Sequence, residues 1–220
     1  MTKRALVIGA TGGIGQAICE TLAVRGVAVK GLSRRDGLDF ARPETVEAVL
    51  GPLDPGFDMI FVASGILTGV SARPEKALRE VGAEEMAAQF AVNAIGPALV
   101  LRHAARLMPR DRRAVVAALS ARVGSIGDNR AGGWYSYRAS KAALNQIVHT
   151  AAIELGRTHR QSICVALHPG TVATEFTAGF PGHDKHRPAQ AAAHLLDVLD
   201  GLGPDDSGGF FDWKGERVVW

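Results

Sequence analysis

Cysteine is scarce: Cys19 and Cys164 are the only two in 220 residues. Two isolated thiols cannot build the framework that staples small secreted domains. Each lies in an apolar run, which points to buried packing in a reducing compartment. Long hydrophobic runs are also missing, and no stretch approaches the ~20 apolar residues of a membrane helix. The run after Lys3 and Arg4, Leu6-Val7-Ile8, breaks at once into Gly9-Ala10-Thr11-Gly12-Gly13. That is too soon for the core of an export signal, so a cytoplasmic protein with no membrane partner is expected. Charge of one sign is not concentrated either. The formal net charge is +3, and the arginines are scattered as Arg34-Arg35, Arg110 and Arg112-Arg113. No nucleic-acid partner is expected. Nor is a metal: His183 and His186 are near neighbours without the further ligands a site needs. They read as part of a loop over a substrate, and His168, before Pro169, reads as packing.

What the chain does have is alternation. Apolar runs at 4–8, 27–32, 59–63, 114–120 and 162–167 read as strands. Leu38-Asp39-Phe40 reads as a very short third strand, and the C-terminus as a last one ending in Val218-Val219. Between them, helical spacing covers 14–25, 43–50, 84–108, 140–158 and 189–199. The strand runs are nearly continuous rather than alternating, which implies burial on both faces. The expected fold class is α/β: one doubly wound Rossmann-type domain over 1–220, with a parallel sheet of about seven strands flanked by helices. Such sheets bind ligands beyond the carboxyl ends of their strands, so candidate residues are sought after each strand.

After the first strand comes Gly9-Ala10-Thr11-Gly12-Gly13-Ile14-Gly15. Glycine there permits positive φ and close approach of a ligand to bare backbone. The following helix start adds free N–H groups and the positive end of its dipole, which suit a pyrophosphate. The end of the second strand selects the nucleotide. It carries Ser33-Arg34-Arg35, with serine in the acidic place, and Asp36 lies past the strand end. A guanidinium suits a 2′-phosphate. NADP(H) is the expected cofactor, inferred from Arg34.

Tyr137 and Lys141 lie four apart at the opening of a helix, so phenol and ammonium share a face. The pair suits carbonyl reduction: hydride arriving at carbon leaves an alkoxide that needs a proton. A nearby cation favours phenolate and makes that proton easier to give. Tyr135 competes, but only Tyr137 has a lysine four residues on.

Across essentially its whole length the chain resembles the short-chain dehydrogenases/reductases. Its glycine spacing looks like that family's G-x-x-x-G-x-G form, and Tyr137-Arg138-Ala139-Ser140-Lys141 like its Tyr-x-x-x-Lys pair. The resemblance implies that Lys141 also holds the nicotinamide ribose. It implies that Asn93, in Val92-Asn93-Ala94-Ile95-Gly96, serves a water-mediated proton relay. Pro169-Gly170-Thr171-Val172-Ala173-Thr174 matches the family's Pro-Gly-x-Val-x-Thr segment, which holds the nicotinamide carboxamide. Asp39 looks like its adenine contact. Ser125-Ile126, Asp128-Asn129, Gly132-Gly133 and Tyr135-Ser136-Tyr137-Arg138, with the ending Gly208-Gly209-Phe210 and Trp220, are similar to the small Sniffer- and C-factor-like branch.

Two places depart from the pattern. The family's Asn-Asn-Ala-Gly is here Val62-Ala63-Ser64-Gly65; Gly65 carries over, and Ala63 and Gly65 keep backbone contact with the cofactor. The serine that orients a substrate carbonyl is replaced, in register, by Ala121. Ser120 and Ser125 are equal alternatives. Neighbours on a strand point opposite ways, so Ser120 need not substitute; Ser125 lies 12 residues before Tyr137, near the family's usual separation. The expected function is NADPH-dependent reduction of a small ketone or aldehyde, with a substrate loop around 175–188. The alternative is an NADP-binding signalling or sensor protein. An enoyl reductase is disfavoured because those usually space Tyr and Lys more widely. Trp134, Trp213 and Trp220 read as packing, pocket lining or subunit contact. The alanine-rich helices around 87–98 and 139–152 could pair in a homodimer or homotetramer, as the family often does.

Overall fold

The computed structural model describes residues 3–179 and 184–220. A six-stranded sheet runs β1 (Arg4–Ile8), β2 (Ala28–Leu32), β3 (Met59–Val62), β4 (Ala114–Leu119), β5 (Ser162–His168) and β6 (Phe210–Asp212), in spatial order β2-β1-β3-β4-β5-β6. All five pairings are parallel. The helices are α1 (Gly13–Val24), α2 (Glu44–Leu50), α3 (Ala83–Phe90), α4 (Gly96–Leu107), α5 (Tyr135–Thr158) and α6 (Pro188–Gly201). Successive strand residues face opposite ways, so each strand feeds two cores. Leu6, Ile8, Ile60, Val62 and Val116 pack under α2, α4 and α5 through Leu50, Leu107 and Leu144. Ala5, Val7, Phe61, Val115 and Ala117 pack under α1 and α6 through Ile18, Leu22 and Leu195. Among the described residues no helix is long and apolar enough to cross a membrane.

Among the described residues the sheet has six strands rather than about seven. Leu38-Asp39-Phe40 forms no strand. Leu38 and Phe40 are buried anchors, and the Asp39 carboxylate turns the chain by accepting from Ala41 N at 3.0 Å. Phe40 lies so close to Gly96 that a Cβ there would sit 2.2 Å from its ring. Side-chain packing, not strand pairing, fixes this segment. At the other end, β6 stops at Asp212, and the chain folds back so that Val218 N donates to Phe210 O. Val218-Val219 is a return, not a strand. β2 is an edge strand with exposed residues, unlike the continuously buried β4.

The expected helix over 84–108 is broken by a wider π turn at Ala91–Ile95. Pro97 has no N–H to give to the carbonyl four residues back, and Gly96 N donates to Ala91 O instead. Such turns often mark functional positions, and Asn93 sits in this one.

Glu85 in α3 fixes the loop after β3. Its carboxylate accepts from the backbone N–H of Gly69, Val70 and Ser71 at 2.7, 2.8 and 2.7 Å, and from Gln89 Nε2 at 2.7 Å. Burial alone would raise this carboxyl, but the four donors outweigh it and hold the pKa down at about 2. The folded value lies below the unfolded one. The stabilisation is therefore complete above about pH 4.5 and drains as pH falls from there towards 2. Glu85→Gln is expected to cost about 2–3 kcal/mol near neutrality, because charged hydrogen bonds are replaced by weaker or missing ones. In urea titrations the gap between wild type and E85Q should be full near about pH 6 and shrink near about pH 3. A gap equal at both would show that the charge is immaterial.

Candidate active site

The strand order reverses between β1 and β3, and the loops following them meet there. Gly9 has φ +86°, and a Cβ on it would lie 2.7 Å from Ser64 Oγ. A Cβ on Gly15 would lie 2.1 Å from Gly9 O, so the first turn of α1 rests on the loop's backbone. Gly9 N and Ala10 N donate to Leu32 O, and Gly12 N to Gly9 O. Thr11, Gly12 and Gly13 are exposed, Ile14 is half-buried, and Gly15 is buried. The first-turn N–H groups of α1 at Gly13, Ile14 and Gly15 have no acceptor within their helix. Thr174 stands over this turn, its Cγ2 only 2.6 Å from where a Cβ on Gly13 would be.

The end of β2 presents two cations and withdraws its acid. Asp36 accepts from Ser33 N and Ser33 Oγ, both at 2.9 Å, and Ser33 Oγ accepts from Arg35 N. The carboxylate is thus turned back into its own turn. Arg34 and Arg35 are exposed, and neither guanidinium is paired among the described residues. Asp39, expected at the adenine, accepts from Ala41 N within its turn and lies 3.4 Å from Arg42 Nε.

Tyr137 and Lys141 lie one turn apart in α5, 5 % and 3 % exposed. Lys141 Nζ is 5.9 Å from the Tyr137 ring centroid and donates to Leu119 O, at the end of β4, at 2.8 Å. The sequence leads one to expect the ammonium to lower the phenol's pKa. Here burial dominates both groups: it raises Tyr137 well above its usual value and lowers Lys141 to about 7. Both shifts favour the uncharged forms of the two groups.

Asn93 ties the β3 loop to α5. Its Oδ1 accepts from Ile66 N at 2.9 Å, and its Nδ2 donates to Ile66 O at 2.9 Å and to Ser140 Oγ at 3.1 Å. Ser140 Oγ in turn donates to Tyr137 O. Gly65 is the neck of this arrangement: a Cβ on it would be 3.3 Å from both Asn93 Oδ1 and Lys141 Nζ. Ala63 continues the β3 ladder through its N–H to Ile8 O. Tyr137, Lys141, Asn93 and Gly65 are thus brought together.

The two candidate serines are bonded to other groups. Ser120 Oγ donates to Asn145 Oδ1 at 2.6 Å. Ser125 Oγ accepts from Asp128 N at 3.1 Å. Among the described residues neither hydroxyl bonds to Tyr137. After β5, Pro169 leads into Gly170 at φ +74°, packed on His186 and Trp213. Val172 bridges to His186, and Thr174 begins the turn Glu175–Thr177. His168 is half-buried, and burial lowers its pKa to about 4. His183 lies outside the described residues, and no group of three or more metal-binding side chains occurs among those described.

Two residues near Tyr137 are not singled out by the sequence, although Phe176 falls within the expected substrate loop. Glu75, in an irregular loop, is buried with its carboxylate on Ser136 N and Ser136 Oγ. Phe176 places its ring 5.9 Å from that of Tyr137. Trp134, read only generally as packing or lining, is the N-cap of α5 and lies 6.1 Å from Tyr137.

The arrangement suits a dinucleotide. The first turn of α1 offers free N–H groups over bare glycine backbone, the end of β2 carries two arginines unpaired among the described residues, and Tyr137, Lys141, Asn93 and Gly65 lie beyond the ends of β3 and β4. Known proteins agree with the architecture. Residues 37–199 match a family model described as enoyl-(acyl carrier protein) reductase. The 1-hydroxy-2-glutathionyl-2-methyl-3-butene dehydrogenase of Rhodococcus sp. (strain AD45) is 33 % identical over 98 % of both chains. The C-signal of Myxococcus xanthus is 39 % identical over 66 % of this chain and 84 % of its own. A Burkholderia multivorans structure, described as a short-chain dehydrogenase/reductase with bound NADP, superposes with TM-score 0.81, 26 % identity and full coverage of both chains. The carbonyl reductase Sniffer of D. melanogaster shares the fold at TM-score 0.79, 20 % identity and full coverage.

Proposed function

The chain belongs to the short-chain dehydrogenase/reductase family of oxidoreductases, and we propose that it is an NADPH-dependent reductase of a small ketone or aldehyde. The observation that carries this reading is the buried Tyr137 phenol one helical turn from Lys141, with Gly65 packed between Lys141 and Asn93. NADPH, when bound, supplies hydride to the carbonyl carbon. Tyr137 gives its phenolic proton to the carbonyl oxygen. The ammonium form of Lys141 steadies the phenolate that is left. Gly9, Thr11, Gly12, Gly13, Ile14 and Gly15 take the phosphates. Ala63, Gly65, Lys141, Pro169, Gly170, Val172 and Thr174 take the nicotinamide side, and Asp39 the adenine side. The four-residue spacing of Tyr137 and Lys141 favours carbonyl over enoyl chemistry. A carbonyl panel followed at the NADPH absorbance band tests the reading, and no oxidation with any member would reject it.

We assign NADP over NAD to Ser33, Arg34 and Arg35. The NADP bound by the Burkholderia relative supports this, as does the inward turn of Asp36. Arg34→Ala is expected to weaken NADPH binding about tenfold while moving NADH binding less than about twofold, the worth of one charged phosphate contact. Fluorescence titration with both dinucleotides checks it; equal losses would remove the assignment.

A second reading has one observation in its favour. Ala121 replaces the orienting serine, and Ser120 and Ser125 are bonded away from Tyr137. On that reading the chain, like the C-signal in name, is an NADP-binding signalling protein. Tight NADPH binding without turnover would favour it. In either case we place the chain as one cytoplasmic NADP-binding domain with its substrate loop at 175–188, working as a homodimer or homotetramer.

A further inference from the structure

Three consecutive residues before α5 have left-handed backbone: Gly132 at φ 63°, Gly133 at φ 65° and Trp134 at φ 55°. Glycine adopts this freely, but a bulky side chain does not. Trp134 is the one non-glycine residue with positive φ among those described. Such a conformation persists only where the surroundings over-determine it, and it gathers at functional sites. Here the surroundings are specific. Trp134 N donates to Glu75 O, and the buried Glu75 carboxylate accepts from Ser136 N and Oγ. Arg138 donates to Gly133 O at 3.0 Å, Gly132 O at 3.2 Å and Val123 O at 3.3 Å. The strained turn is thus clasped from both sides of the chain.

What the clasp achieves is the placement of an indole. The Trp134 ring meets the Tyr137 ring edge-on, at 6.1 Å and 65°. Phe176, from the turn after Thr174, meets it at 5.9 Å and 55° while staying 39 % exposed. Two aromatic rings from separate elements thus border the proton donor. Three charged side chains near them are already occupied among the described residues. Glu75 is bonded to Ser136, Arg138 to three carbonyls and Lys141 to Leu119 O. We infer that Trp134 and Phe176 are specificity-determining residues that seat a flat, uncharged aryl ketone or aldehyde against Tyr137. Ring edges and faces pair well with another ring, and among the described residues Arg138 and Lys141 already spend their donors on backbone carbonyls. The inference rests on the reductase reading and narrows its substrate class.

The test compares acetophenone, 2-octanone and the anionic benzoylformate with NADPH, in wild type, W134G, W134F and F176A. Glycine relieves the positive φ, so W134G removes the ring without adding strain. Acetophenone should lead the other two in kcat/KM. In W134G and F176A the acetophenone-to-octanone ratio should fall about tenfold, the worth of one good ring contact. The fall should lie in KM, and W134F should restore most of it. Equal losses on both ketones, or a lead for benzoylformate, would overturn the inference. If no carbonyl oxidises NADPH, the reductase reading itself fails. Equilibrium binding of acetophenone and 2-octanone to the NADP-loaded protein then decides the present point. Tighter acetophenone binding that W134G weakens upholds the aryl seat, and indifference overturns it.

Discussion

Tyr137→Phe should lower kcat by roughly 10²–10⁴, the usual worth of a positioned general acid. The substitution removes one oxygen and leaves a ring that fills the same space between Trp134 and Phe176. Packing is therefore nearly conserved. Tyr137 has little exposure and burial raises its pKa, so on the proposed reading its oxygen is the proton donor rather than a solvent-facing handle. The loss should fall on kcat with KM for the carbonyl almost unmoved, because the proton moves only as the transition state forms. NADPH affinity by titration should stay within about threefold of wild type, since the site's other cofactor groups are untouched. Tyr135→Phe is the control: Tyr135 lies on the same helix without a lysine one turn on, and its loss should leave kcat within the same narrow range. Y137F retaining wild-type turnover would remove the proton-donor assignment, and a matching collapse in Y135F would transfer it.

The legible parts of this molecule are those decided locally. β1 occupies Arg4–Ile8 as its apolar run implies, and the glycines after it meet the start of α1. Tyr137 and Lys141 share a face because helix geometry puts residues four apart together, whatever lies around them. The illegible parts were decided by distant partners. Leu38-Asp39-Phe40 has strand-like spacing, yet Phe40 is claimed by Gly96 on another element. Ser120 and Ala121 are neighbours on an extended segment, and nothing in their order tells that Asn145 captures the Ser120 hydroxyl. The phenol's pKa followed the same rule. A lysine four residues away is visible in the sequence; the burial that outweighs it is a property of the whole crevice. Glu75 sits in a stretch with no periodicity, so its grip on Ser136 had no pattern to announce it.

Gly15→Ala should abolish measurable NADPH binding and lower the thermal midpoint, whereas Gly12→Ala should lose binding alone. At position 15 a new methyl would lie 2.1 Å from Gly9 O, 2.8 Å from Gly9 C and 3.3 Å from Ala10 Cα. All three are backbone atoms, so no side-chain rotation relieves the clash and α1 must move off the β1 loop. Overpacking of this kind costs about 1–3 kcal/mol, or roughly 2–10 °C in a chain of this size. The displaced helix takes its free N–H groups with it, so the phosphate cradle goes too. Gly12 is different. It caps α1 at φ −78°, which any residue can adopt. Its added methyl would meet only Gly9 O, at 3.5 Å, an ordinary contact. The fold should stand within about 1 °C of wild type, but the methyl would crowd the helix start where a pyrophosphate must approach bare backbone. At least a tenfold loss of NADPH affinity with an unchanged midpoint is the expected signature of G12A, since steric exclusion from the cradle removes several charge-assisted bonds at once. The pair separates two roles of one loop by calorimetry and titration on the same samples. NADPH binding at wild-type strength in G12A would mean that the phosphates do not rest on this turn, and the cofactor crevice would then have to be sought away from β1.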